Sequence, residues 1–285
     1  RVSGNLLSVS SRNRYYYHPH RLDVVYDASV EQELTTQDFR SVTELKYGWL
    51  KAKWNMYVRG GLDINYHHLK SNLDGIASPL VTECDFQSLL MRVYAAPEAS
   101  YSSYRWLVTL SLPIGLKTNH IYEGQTGSNI TKCHLSIAPF VYVRYKLNAR
   151  MDAIAQLKYS LEPPEATCHI PAAIMQNFRN LYLAVPTTDF YHYRSAAVNL
   201  RYRNPIKSLF FNIIGKYDWN SYPLINDQIF LNNYILNTFT LNSNDTRCFN
   251  VNGNISKGLM SGKIHISLDA SYADVISSAM RDGQK

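Results

Sequence analysis

Seven side chains able to hold a transition metal recur along this sequence: His67 with His68, His120, Cys133 with His134, and Cys168 with His169. Imidazole nitrogen and thiolate sulfur are good donors to such ions, so the set has the chemistry of a metal or haem entry site. The cysteines, at 84, 133, 168 and 248, show no CxxC spacing of a built zinc or redox centre. The plainer account is loop residues sharing one side of the molecule, with one or two disulfides whose pairing the sequence leaves open. We therefore assign no metal and no cofactor; were a metal held, His67, His68, His134 and His169 would be the ligands to test first. Catalytic motifs offer no competing chemistry. GxSxG, HExxH and a P-loop are absent, and GQTGSN at 124–129 reads as a loop turn, so the chain is not expected to be an enzyme.

The elements that must position these residues announce themselves by alternation. In KWNMYVRGGLDINY (53–66) one face carries Trp54, Met56, Val58, Leu62, Ile64 and Tyr66, and the other carries Lys53, Tyr57, Arg59 and Asp63. A period of two is a β-strand. Its length is unusual, because strands of soluble proteins run to about 5–6 residues while a tilted strand crossing a bilayer needs roughly 9–11. The pattern recurs. Residues 132–146 set Leu135, Ile137, Val141, Val143 and Tyr145 against His134, Ser136, Tyr142 and Arg144; residues 150–161 set Met151, Leu157 and Tyr159 against Arg150, Asp152 and Lys158. Residues 262–272 set Ile264, Ile266 and Leu268 against Lys263, His265 and Asp269. Lys or Arg near the bilayer midplane on the lipid side costs about 2–4 kcal/mol, so such segregation is what a membrane enforces.

Composition is compatible with this. The 285 residues include 22 tyrosines against 10 phenylalanines, an excess suited to positions that are apolar on one side and wet on the other. No apolar run reaches the roughly 18 residues of a membrane-crossing helix, which says nothing against strands. The net charge of +7 comes from dispersed Lys and Arg without a basic block, which argues against nucleic acid and for a wet interior or acidic surface glycolipid.

The expected strands are 38–49, 53–67, 86–98, 104–120, 132–146, 150–161, 190–203, 207–219, 247–257 and 262–273, with an eleventh hairpin at 228–242 standing in an extracellular loop. Short links lie at 47–54, 99–106, 145–150, 202–208 and 256–263, and longer polar connections at 67–85, 121–131, 162–189 and 220–245. That asymmetry, with Trp or Tyr beside most short links, is the pattern of an outer-membrane barrel with periplasmic turns. The tyrosine-rich RNRYYYHPH (12–20) is expected outside the membrane, and IMQNFRNLY (174–182) suggests one helical turn.

From this pattern the lumen-facing candidates are Arg59, Asp63, Arg150, Asp152, Lys158, Lys216, Asp218, Lys263, His265 and Asp269, serving chiefly to pair across strands and hydrate the wall. The lipid-facing set is Trp54, Met56, Val58, Leu62, Ile64, Leu135, Ile137, Val141, Val143, Ile264, Ile266 and Leu268. Tyr15, Tyr16, Tyr17, Tyr191 and Tyr193, with the loop LEPPEATCHIPAA (161–173), are the candidates for extracellular ligand contact, because aromatics stack on sugars and apolar ligands.

WLVTLSLPIGL (106–116), IAPFVYVRYKLNARMDAIAQLKYS (137–160), IMQNFRN (174–180), VNLRYRNPIKSLFFNIIGKYDW (198–219) and the pair FNVNGNISKGL with GKIHISLDASYA (249–273) resemble the barrel of TonB-dependent outer-membrane receptors. The resemblance is to the type bearing a carboxypeptidase-regulatory-like domain, and it covers most of 38–275. It implies an all-β antiparallel transmembrane barrel of 22 strands, of which some 10–12 are present, with long extracellular loops and short periplasmic turns. It also implies a lumenal plug domain, the TonB energising complex and nutrient import across the Gram-negative outer membrane. The surroundings would be outer-membrane lipid and lipopolysaccharide, with a surface lipoprotein as a further partner. RVSGNLLSVS opens in mid-pattern and MRDGQK reads as a loop, so residues 1–285 are expected to be part of a barrel whose plug and remaining strands lie elsewhere. Two other classes fit the alternation: a non-transporting barrel used for adhesion or complex assembly, and a soluble β-sandwich binding module.

Overall fold

The computed structural model describes residues 3–26, 28–74, 82–163, 172–177, 179–184, 187–231, 234–259 and 264–281, with side chains from residue 10 except 17–30. Cys168, His169 and Lys263 therefore lie outside the described residues, as does the side chain of Tyr17.

The chain alternates because it builds one sheet with two different faces. The strands are β1 (Ser3–Tyr26), β2 (Ala28–Lys51), β3 (Trp54–Asp74), β4 (Glu83–Ser102), β5 (Trp106–Ser111), β6 (Ile114–Glu123), β7 (Ser128–Ile137) and β8 (Phe140–Lys146). They continue with β9 (Met151–Glu162), β10 (Ile174–Met175), β11 (Asn180–Leu183), β12 (Tyr191–Asn204), β13 (Leu209–Leu231), β14 (Tyr234–Leu259), β15 (Ile264–Ile276) and β16 (Ala279–Arg281). Neighbours in sequence pair antiparallel from β1 to β4, then β4 pairs with β5 and β6, β6 with β7, and β5 with β8. The meander runs on through β9, β12, β13, β14 and β15. With β5–β6 and β7–β8 each counted as one interrupted strand, this is an eleven-strand wall among the described residues.

The two interruptions were expected to be continuous strands. Pro113 and Pro139 explain them, since proline has no N–H to give the ladder. Their carbonyls still accept, from Ala138 N at 2.9 Å and Tyr159 N at 3.1 Å. The phase survives the break: Leu110, Ile114 and Leu116 share one face, as do Leu135, Ile137, Val141 and Val143.

Three further expectations need correction. The expected loops at 67–85, 121–131 and 220–245 are mostly strand, because β3, β4, β6, β7, β13 and β14 extend past the alternating core. The hairpin at 228–242 is thus the tip of β13 and β14, joined to them through a register shift between Tyr222 and Leu224. β1 and β2 likewise form one long hairpin that includes RNRYYYHPH. Finally, 174–182 carries β10 and β11, which pair antiparallel, where a helical turn was expected. β11 then adds in parallel to β14, so the sheet's open hydrogen bonds outcompete a lone turn of helix.

The packed core lies on the charged face, at the long-loop end. Leu69, Cys84, Phe86, Ile121 and Ala172 form one cluster, and Leu73, Ala173, Met175, Leu181 and Leu236 another. Segment 172–184 thereby ties the tips of β3, β4 and β6 to the tip of β14. A buried polar link reinforces it: Gln32 donates to Ser71 Oγ at 2.9 Å and accepts from Met175 N at 2.9 Å. Among the described residues the opposite face has no cover: Val58 is 41% exposed, Leu157 54% and Leu268 64%, where a β-sandwich would make these residues core.

Candidate functional site

Register decides which side chains meet. Direct pairing carries one face continuously from Leu62 to Val93, Leu116 and Leu135, and from Met56 through Ala99, Leu110, Val141 and Leu157 to Ala196 and Tyr217. All twelve residues expected to face lipid lie on it. On this face no Lys, Arg, Asp or Glu occurs within 39–49, 54–66, 89–101, 106–122, 131–145, 151–161, 196–202, 211–217, 249–255 or 264–272. Arg59, Asp63, Asp152, Lys158, Lys216, Asp218, His265 and Asp269 all lie on the other face. Arg150 departs from the expectation: it sits in the turn between β8 and β9, where its N–H donates to Asn148 Oδ1 at 2.8 Å.

The charged residues do not converge on one centre; they pair locally along the wall. Arg59 meets Glu98 at 3.2 Å, and Asp63 takes Arg92 at 3.1 Å and Arg40 at 3.7 Å. Asp152, 9% exposed at its side chain, accepts a two-pronged bond from Arg201 at 2.9 and 2.8 Å, with Arg203 at 3.9 Å. Such a fork is the strong form of the carboxylate pair. Asp218 holds Lys216 at 2.7 Å and accepts from Tyr193 OH at 3.2 Å, while Lys158 lies over the Tyr193 ring. Asp269 accepts from Asn254. Sequence reading missed Arg40, Arg92, Glu98, Lys117, Arg201 and Arg203, although alternation alone places each of them on the polar face.

At the Pro113 and Pro139 breaks the polar face opens into a pocket of about 200 Å³ lined by Arg59, Arg92, Tyr94, Lys117, Ser160 and Glu162 among others. Lys117 donates to Glu162 at 3.2 Å and to the Leu161 carbonyl. Arg59 Nε, Arg92 Nε and Ser160 Oγ have no protein partner there. Tyr94 reaches Glu44 at 2.8 Å because its ring lies over Gly61, where a Cβ would stand 2.7 Å from it.

The metal-ligand candidates disperse. His67 bonds Asp38 at 2.6 Å on the polar face, whereas His68 bonds Asp85 at 2.8 Å on the other, so they cannot chelate together. His120 bonds Thr131 at 2.7 Å, and His134 packs edge-on against Phe190. No group of three His, Cys, Asp or Glu able to hold a metal occurs among the described residues. Burial would raise the Asp85 carboxyl, but the His68 hydrogen bond and Lys70 hold it below its ordinary range. Cys84, Cys133 and Cys248 are free thiols, and burial beside Glu123 and Asp85 pushes Cys84 up to about 12. Of the tyrosines, Tyr15 and Tyr16 are exposed, Tyr191 stacks on Tyr222 and Tyr193 belongs to the Asp218 network.

A meander of long strands, apolar on one face and charged on the other, is the wall of a large β-barrel. Solved structures with this fold include a copper transporter, OprC, at TM-score 0.70 and 12% identity, matching 95% of this chain and 44% of that one. The ferric citrate transporter FecA in its unliganded form matches at TM-score 0.64 and 11% identity, over 95% of this chain and 40% of its own. The chain thus shares the fold of both proteins over nearly its whole length and spans less than half the length of either. No family model matches the sequence, and no curated protein matches it.

Proposed function

We propose that the chain is part of the barrel of a TonB-dependent transporter in the Gram-negative outer membrane, importing a scarce nutrient through a lumen closed by a plug domain elsewhere in the protein. The observation that carries this is the charge-free face, kept over ten strand segments and left uncovered. In water such a surface would be a liability; in a bilayer it is required. On this reading Arg59, Asp63, Asp152, Lys158, Lys216, Asp218, His265 and Asp269 line the wet interior. Their local pairing suits a hydrated wall better than a single binding centre. Tyr15 and Tyr16, both exposed, are aromatic candidates for ligand contact, together with Tyr191, which stacks on Tyr222, and Tyr193, which bonds Asp218. Plug, TonB complex, surface lipoprotein and the carboxypeptidase-regulatory-like type belong to the same proposal.

Single spin labels at residues 58 and 59 of the full-length protein, reconstituted in lipid, test it. A lipid-accessible probe at 58 beside a water-accessible one at 59 supports the barrel. A probe at 58 that reports a packed protein interior refutes it.

A further inference from the structure

The two ends of the wall carry opposite charge. The described residues of the five short turns and their flanks, 50–54, 102–106, 146–151, 203–209, 256–259 and 264, contain eight Lys or Arg and no Asp or Glu. Lys51 and Lys53 stand in the first and Arg105 in the second. Lys146 and Arg150 stand in the third, Arg203 and Lys207 in the fourth, and all seven are exposed. Among the described residues of these turns only Arg203 has a carboxylate within ion-pair distance, Asp152 at 3.9 Å. At the other end, the described side chains of residues 31–34, 66–74, 82–87, 119–132, 161–163, 172–177, 179–184, 187–191, 220–231 and 234–246 include ten acids against three Lys or Arg. The net charge of +7 is therefore no diffuse excess. It includes a concentrated basic rim.

A second observation fixes the depth of that rim. Immediately inside the turns, on the uncovered face, aromatic rings pair across strands: Trp54 with Tyr101 at 5.0 Å, Trp106 with Tyr145 at 4.4 Å and Tyr202 with Phe211 at 5.3 Å. Such a row of amphipathic rings settles at the boundary between hydrocarbon and headgroups. Cations one to five residues beyond it stand at the level of lipid phosphates.

Resting on the membrane reading above, we propose that the short-turn rim is a binding surface for anionic phospholipid headgroups of the adjacent leaflet. Lys51 and Lys257 lie in register with uncovered apolar residues, Trp54 and Ile266, and so stand on the lipid side. Their stems extend the apolar band; the exposed Lys51 ammonium reaches phosphate, while that of Lys257 donates to the Lys207 carbonyl. The interaction holds the barrel at a fixed depth and makes its annulus richer in acidic lipid than the bulk leaflet.

The test uses full-length protein in phosphatidylcholine vesicles doped with spin-labelled phosphatidylglycerol or spin-labelled phosphatidylcholine, reading the motionally restricted fraction of each. A preference for phosphatidylglycerol of about threefold at low salt, falling toward parity at about 0.5 M, is expected. The variant K51Q/K53Q/R105Q/R150Q/K207Q should lose at least about half of that excess. K70Q/K132Q, at the acidic end, should lose none. If the five-fold variant fails to insert, K51Q/K53Q and R105Q/R150Q separately should each lower the preference. Insertion with no preference, or a preference that survives every turn variant, overturns the lipid assignment and leaves the rim to an acidic polypeptide. Failure of the native protein to insert overturns the membrane reading, and the rim proposal with it.

Discussion

Moving one arginine by one residue should separate the two faces energetically. Leu157 and Gln156 are neighbours on β9, and both are exposed. Leu157 belongs to the charge-free face, Gln156 to the charged one. The uncovered face of β9 runs from Met151 to Leu161, ten residue-to-residue steps or about 33 Å along the strand; tilted at about 40° this covers about 25 Å of depth, the height of a barrel's apolar band. Leu157 lies within one residue of its middle. L157R places a guanidinium near the midplane and should cost about 2–4 kcal/mol, a factor of about 30 to 1,000 in the folding equilibrium. Q156R adds the same group to a wet wall and should stay within about 0.5 kcal/mol of the parent. Denaturant unfolding of the full-length protein in vesicles, followed by tryptophan emission, measures both. Equal costs for the two variants would refute the assignment of faces, and with it the membrane-spanning wall.

R201A leaves Asp152 buried with only the distant Arg203, and should cost about 3 kcal/mol, whereas R203A should cost well under half of that; unfolding midpoints of the pair test this. G61V drives Tyr94 from its seat and breaks its bond to Glu44, costing about 1–3 kcal/mol, with G60V, whose added Cβ would lie 3.8 Å from its nearest neighbour, as the milder comparison. Q32A removes the buried side chain that links Met175 N to Ser71, so limited proteolysis should cut within segment 172–184 faster than in the parent. Cys84, buried beside Glu123 and Asp85, should react with maleimide only on unfolding. Because burial raises the Cys84 thiol to about 12, folding favours its protonated form: that contribution is complete below the ordinary thiol pKa of about 8.5 and is lost as pH rises toward 12. C84S should flatten the alkaline fall in stability measured by unfolding across that range.

Alternation made the faces legible in the sequence. A side chain on a strand has only two directions, so Val58 and Arg59, or Leu268 and Asp269, are sorted by position alone, and the short turns are marked by the aromatic residues beside them. The same signal carried ten of the eleven strands of the meander, all but β1, because sequential strands with short turns pair as neighbours. What it could not carry was how far the strands extend. Residues 67–74 and 220–231 lose the clean alternation, since their apolar side chains, such as Leu69 and Leu73, turn to the opposite face and pack beneath segment 172–184. Nor could spacing pair the charges. Asp152 finds Arg201, 49 positions away, only because β9 and β12 become neighbours across the excursion at 163–190. His67 and His68, adjacent in sequence, are divided by the sheet itself. The sequence by itself determined which side chains could face lipid and which water, because a strand's period is local; the tertiary structure alone decided which of them meet, because register joins residues that no local pattern connects.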